Sequence, residues 1–104
     1  LAFKAEGRQI PMEEGFSESV VMDKKTLNRV LSGLADRNIR FQDLGNLLSD
    51  FGFSVRIKGD HHIYHREGIK EIINLQPLKD GKAKAYQVKQ VRMIIFKYRL
   101  HKGV

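Results

Sequence analysis

The chain of 104 residues has no cysteine, no tryptophan and only two prolines, and no apolar run approaches the ~18 residues of a membrane-spanning helix. The missing cysteine excludes disulfides and thiolate metal sites and fits a reducing compartment. The missing apolar run, with Glu6, Glu13, Glu14 and Glu18 in an N-terminal stretch that has no hydrophobic h-region, leaves neither a transmembrane helix nor a signal peptide. A cytoplasmic protein with no membrane partner is therefore expected. Internal repeats and low-complexity tracts are also lacking. One domain remains, of a size that buries about two-thirds of its unfolded surface and folds without staples.

Acidic residues are scarce in the second half. Residues 53–104 hold 4 Asp/Glu against 12 Lys/Arg, a balance of +8, while residues 1–52 hold 8 against 7, a balance of −1; together these give the net charge of +7. A half this basic concentrates polyanions around itself, and nucleic acid is the commonest of them. A solvated cationic face on an ordinary cytosolic protein accounts for the charge as well.

Residues 1–21 show no sustained period, contain Gly7, Pro11 and Gly15, and begin with Leu, whereas Met22 opens a well-patterned segment. Residues 1–21 are expected to be a non-native or disordered extension, and residues 22–104 the single domain. Asp23 is placed to cap a helix running to Leu34, with Leu27, Val30, Leu31 and Leu34 on one face. A second helix, Phe41 to Asp50, aligns Phe41, Leu44, Leu47, Leu48 and Phe51, has Asp43 in its first turn, and stops at Gly52. A third, Tyr86 to Tyr98, has Val88, Val91, Ile94, Ile95 and Tyr98 as its buried stripe. Such stripes on short helices are core rather than cofactor boxes, because they have to be buried against something. Met93 and Phe96 fall on the outer side, where they mark either a contact with a partner or ordinary exposed apolar residues.

Between the second and third helices lies the stretch Gly52 to His65, which holds three of the four histidines. Two runs of β-formers, Phe53–Lys58 and His61–His65, flank Gly59-Asp60, a pair that closes a two-residue hairpin. Phe53, Val55 and Ile57 alternate with Ser54, Arg56 and Lys58, the pattern of a strand with one covered and one wet face. The partner strand sets His61, Ile63 and His65 on one side and His62, Tyr64 and Arg66 on the other. Parity alone does not say which set is wet. A third strand, Glu71 to Gln76, is stopped by Pro77, and a loop carrying Lys79, Lys82 and Lys84 around Gly81 leads to the last helix.

The histidines invite a metal reading through His61-x-x-x-His65, with His62 in support. On a strand, positions four apart lie about 13 Å from each other, too far for one coordination shell, and neither a cysteine nor a nearby carboxylate pair completes a site. General acid/base chemistry fits better. Imidazole can take the proton of a ribose 2′-hydroxyl and return one to a leaving 5′-oxygen, so RNA cleavage by internal attack needs no metal. It does need positive charge around the phosphate, available from Arg56, Lys58 and the lysine loop, whose approach to a helix N-terminus suits an anion. Ordinary surface histidines on a strand and a solvated lysine loop remain the plainer account of the same residues.

The order α-β-β-β-α, the Gly-Phe opening the first strand, the Lys58-Gly59-Asp60-His61-His62-Ile63-Tyr64 hairpin and the basic loop before the last helix resemble the HicA toxins of bacterial toxin–antitoxin pairs. The likeness runs from about Ile39 to Leu100, and Lys82 to Arg92 looks like one branch of that family. It implies an α+β, double-stranded-RNA-binding-domain-like fold: a three-stranded antiparallel sheet with two helices on one face, here with an extra N-terminal helix. It implies metal-independent cleavage of mRNA without a cofactor, and silencing by a HicB-type antitoxin that covers the active face. Gly59 matches the family's hairpin glycine and His61 its catalytic histidine. Phosphate binding is then assigned to Lys58, Gly59, Lys82, Lys84 and Lys89. Asp60 stands where the family has Ser or Thr, and a carboxylate there is unhelpful beside a phosphate unless it turns away or orients a histidine. That departure favours a competing reading, a non-catalytic RNA-binding module of the same fold. A protein-interaction domain using Met93 and Phe96 is a third.

Overall fold

Asp23 caps the first helix. Its Oδ1 accepts from the Lys25 and Thr26 N–H groups at 3.1 and 3.2 Å, and its Oδ2 from the Thr26 hydroxyl at 2.8 Å, satisfying donors that the first helical turn leaves free. The structure, a computed structural model, describes residues 23–102; the expected extension 1–21 lies outside the described residues. The capped helix, α1 (Lys24–Ser32), ends at Gly33, whose φ of 73° puts it in the left-handed region that glycine adopts freely. Leu34 is therefore turned off the helical stripe. The expected fourth member of that face is 92% exposed, while Leu27 and Val30 are buried.

A 3₁₀ turn, Asp36–Asn38, leads to α2 (Phe41–Asp50), which buries Leu44, Gly45, Leu47 and Leu48 as its spacing predicts. Gly52, with φ 90°, reverses the chain into the sheet. Strands β1 (Ser54–Lys58), β2 (His61–His65) and β3 (Ile73–Leu75) form an antiparallel sheet in the order β1-β2-β3, and α3 (Ala85–Lys97) closes the domain. Among the described residues the architecture is α+β, with a three-stranded antiparallel sheet and three helices.

Tyr64, Ile73 and Leu75 share one face of the sheet and join the core residues of α2 and α3, with Leu27 and Val30 of α1 behind them. Burying each such aliphatic or aromatic side chain contributes roughly 1.5–3 kcal/mol, so this layer outweighs any single cap or ion pair. Two polar ties fix its geometry. Arg92 of α3 donates to both oxygens of Asp36 at 2.8 and 3.1 Å and to the Val30 carbonyl at 3.0 Å, binding the 3₁₀ turn and α1 to α3. At the other end of α3, Lys97 Nζ and the Tyr98 hydroxyl each donate to Glu71 at 2.6 Å.

Two strand expectations are corrected. The third strand is three residues rather than Glu71–Gln76, because β2 offers it only His62–Tyr64 as partners, and Ile72 is 63% exposed. Of the expected covered face of the first strand only Phe53, just ahead of β1, is buried: Val55 and Ile57 point to the helix side, yet are 44% and 61% exposed. The reason is lateral position. Gly45 of α2 lies over the Tyr64 hydroxyl of the middle strand, whereas every residue of β1 stays exposed.

That close approach predicts an effect. A Cβ at Gly45 would sit 2.5 Å from the buried Tyr64 hydroxyl, so Gly45→Ala is expected to cost about 1–3 kcal/mol in urea unfolding despite the ~1 kcal/mol helical preference for alanine. Adding Tyr64→Phe should restore most of the loss; an unchanged stability for Gly45→Ala would show that the ring yields freely. A second expectation concerns acid. The donors Lys97 and Tyr98 hold the Glu71 carboxyl at about 2, below its ordinary 4.5. Its folded value being the lower one, the stabilisation is present above 4.5 and is lost as pH falls towards 2. Over that window Glu71→Gln should unfold with a shallower pH dependence than the parent protein.

Candidate active site on the open face of the sheet

The site begins with the bend. Gly59 has a φ of 63°, and Asp60 is not among the residues with positive φ, the pattern of a two-residue turn whose first central position demands glycine. Lys58 and His61 become the closing pair, followed by Ile57↔His62, Arg56↔Ile63, Val55↔Tyr64 and Ser54↔His65. Directly opposed residues share a face. His62 and Tyr64 therefore belong to the helix side, where His62 meets Phe41 edge-on at 4.9 Å. His61, His65, Ser54, Arg56, Lys58 and Asn74 lie on the other side, all exposed, on a face that no helix covers.

His61 is held at one edge of its ring. Nδ1 lies 3.0 Å from Asn74 Oδ1. With an amide oxygen as its partner, Nδ1 carries the hydrogen, and Nε2 is left with a free lone pair facing solvent. Asp60 Oδ1 stands 3.8 Å from Nε2, too far for a hydrogen bond and near enough to attract an imidazolium. The carboxylate is itself restrained, since its Oδ2 accepts from Gln76 Nε2 at 2.8 Å. That bond is the main reason its pKa lies below the ordinary 3.8, with smaller help from the charges of His61 and Lys84. Lys84 Nζ in turn donates to Gln76 Oε1 at 3.4 Å.

Gln76 is fixed from beneath. The Gln87 side chain of α3 is 1% exposed, and with its oxygen toward the Gln76 N–H it accepts there at 3.1 Å and donates to the Gln76 carbonyl at 3.3 Å. This orientation leaves neither end of a buried amide without a partner. A line of contacts thus runs from the core through Gln87, Gln76 and Asp60 to His61, with Lys84 at its side.

The residues assigned from sequence are brought together only in part. Lys58 stands across the strand from His61 on the same face, Gly59 makes the bend, and Lys84 reaches the hairpin through Gln76. Lys82 is pinned elsewhere, in an isolated bridge with Arg40, and its N–H donates to Asp80 Oδ1 at 3.0 Å. Lys89 is exposed on α3, with no side-chain bond to the hairpin. Among the described residues no three His, Asp or Glu side chains gather as a metal ligand set, and no helix is long and apolar enough to cross a membrane. Sequence reasoning passed over Asn74, Gln76 and Gln87. The one visible signal was Gln87, a polar residue adjoining the apolar stripe of α3.

These bonds are open to nuclear magnetic resonance. Histidine ¹⁵N shifts should find the His61 hydrogen on Nδ1, and Asn74→Ala should move tautomer population to Nε2–H while Asn74→Asp holds the original form. Gln76→Leu should bring the Asp60 carboxyl back up toward 3.8 in a ¹³C titration, since it deletes the main cause of the lowering. No change at either group would remove the corresponding bond from the description. No family model, no curated protein and no solved structure matches this chain, so the site is read from its own geometry.

Proposed function

We propose that this chain is a metal-independent endoribonuclease of the HicA type, with the dsRNA-binding-domain-like variant of its α+β fold, acting on mRNA in the cytoplasm as the toxin of a toxin–antitoxin pair. The observation that carries the reading is the state of the His61 ring. Nδ1 is occupied by Asn74, Nε2 is free, and the ring is exposed on a basic face with Lys58 opposite it. A base fixed in one tautomer with its lone pair toward solvent is what abstraction of a 2′-hydroxyl proton requires.

The reaction follows from those groups. Nε2 takes the 2′-hydroxyl proton as the 2′-oxygen attacks the adjacent phosphorus; the imidazolium returns a proton to the departing 5′-oxygen, leaving a 2′,3′-cyclic phosphate. Lys58 faces the charge that builds on the non-bridging oxygens, and Lys84 and Arg56 add to the field. Lys82 and Lys89 act at most along the flanking RNA, given where they lie. The partners in this reading are mRNA and a HicB-type antitoxin.

Asp60 favours a second reading, a non-catalytic RNA-binding module. Its carboxylate faces the free side of Nε2 and would compete there with a phosphate. Incubating the purified protein with RNA in EDTA separates the two: cleavage supports the enzyme, whereas retarded but intact RNA supports the module. His61→Ala should lower cleavage by about 10²-fold or more with RNA binding and fold retained, the scale of a lost acid/base group, and should relieve growth arrest on expression. Cleavage that persists in His61→Ala takes His61 out of the mechanism.

A further inference from the structure

Strand β1 is an outer strand of the sheet, and all five of its residues are exposed. Proteins usually blunt such edges with a proline, a bulge or a charge pointing inward. Here the register from Ser54 to Lys58 runs without a bulge, there is no proline, and the inward residues are Val55 and Ile57. The bend decides which backbone groups are free. Because Lys58 and His61 close a two-residue turn, they form a hydrogen-bonded pair, and bonding then alternates along the strand. Val55 and Ile57 consequently direct their N–H and C=O groups away from β2, and among the described residues neither takes part in a turn or loop bond.

Below this edge is a groove of about 310 Å³, lined by Val55 and His62 of the sheet and by Phe41, Gln42, Asn46 and Ser49 of α2. Above it, on the solvent side of the strand, stand Arg56 and Lys58. The edge thus has an apolar lower rim and a cationic upper rim, alternating at the strand period.

We infer that β1 is a docking edge for an extended segment of a partner protein that adds a fourth strand, with apolar residues over Val55 and Ile57 and acidic residues at the intervening positions beside Arg56 and Lys58. Main-chain bonds to Val55 and Ile57 supply affinity, and the alternation supplies specificity. A second copy of this chain does not meet the charge requirement, since full antiparallel overlap of two β1 strands sets Arg56 against its own copy, and like charges directly opposed are destabilising. The surface exists whether or not His61 cuts RNA.

The probe is a blocked nine-residue peptide, Ser-Thr-Glu-Val-Glu-Val-Glu-Thr-Ser, added to the full chain, with a second peptide carrying Lys in place of each Glu. The acidic peptide should slow amide exchange at Val55 and Ile57 by about tenfold or more at saturation, as expected when an open edge amide gains a partner, and the lysine peptide should leave both unchanged. Arg56→Glu and Ile57→Lys should each weaken the acidic peptide about tenfold, one by charge and one by blocking the lower rim, with thermal unfolding unaltered. The inference is overturned if millimolar acidic peptide leaves both amides unprotected, if both peptides protect them equally, or if single-stranded RNA protects them where the acidic peptide does not.

Discussion

The constraint on which the rest depends is the length of the bend at Gly59-Asp60. Side chains alternate along a strand, so adding or removing one residue there would carry all of β2 to the opposite face. With two residues, Lys58 faces His61, and Tyr64 enters the core beside Ile73 and Leu75. The core enforces that choice: exposing Tyr64 and burying His65 in its place would forfeit a few kcal/mol of apolar burial and strand a polar ring without a partner. The position of His61 on the open face is thus set by the residue three further along the strand.

Once the parity is fixed, α3 connects the two sides of the molecule. Its Arg92 holds the 3₁₀ turn and α1, its Lys97 end is tied to Glu71, and near its start Gln87 clasps the Gln76 backbone at the end of β3. Through Gln76, a buried helix position bears on an exposed histidine two side chains away. Rigid support from beneath suits a group whose ring must keep one orientation, because packing and hydrogen bonds remove alternative rotamers.

The apolar periods showed the helices, since a face buried at 3.6-residue spacing leaves a clear trace, and Gly59-Asp60 showed the hairpin. Leu34 was misjudged because the left-handed step at Gly33 ends the period one residue before it. Val55 and Ile57 alternate as covered residues do, but alternation reports the direction of a side chain and not whether a helix reaches over it. The choice between the two sets of β2 residues was illegible for the same reason. The surroundings of His61 were harder still: Asn74 and Gln76 are distant in the chain from the hairpin, and only the pairing of β3 with β2 brings them beside it.

Asp60 shows how such surroundings alter the meaning of a residue. As a letter it is a negative charge where a phosphate would sit. In the folded chain Gln76 engages one of its oxygens, Lys84 offsets part of its charge, and the other oxygen stands 3.8 Å from Nε2. A carboxylate at that distance repels any anion that approaches the open edge of the ring. That repulsion weakens with charge screening. Binding of an anion is diffuse and steeply salt-dependent, whereas a contact restrained by Gln76 is short and local. Added salt therefore weakens the attraction of the basic face for any polyanion faster than it weakens the hydrogen bond between Gln76 and Asp60.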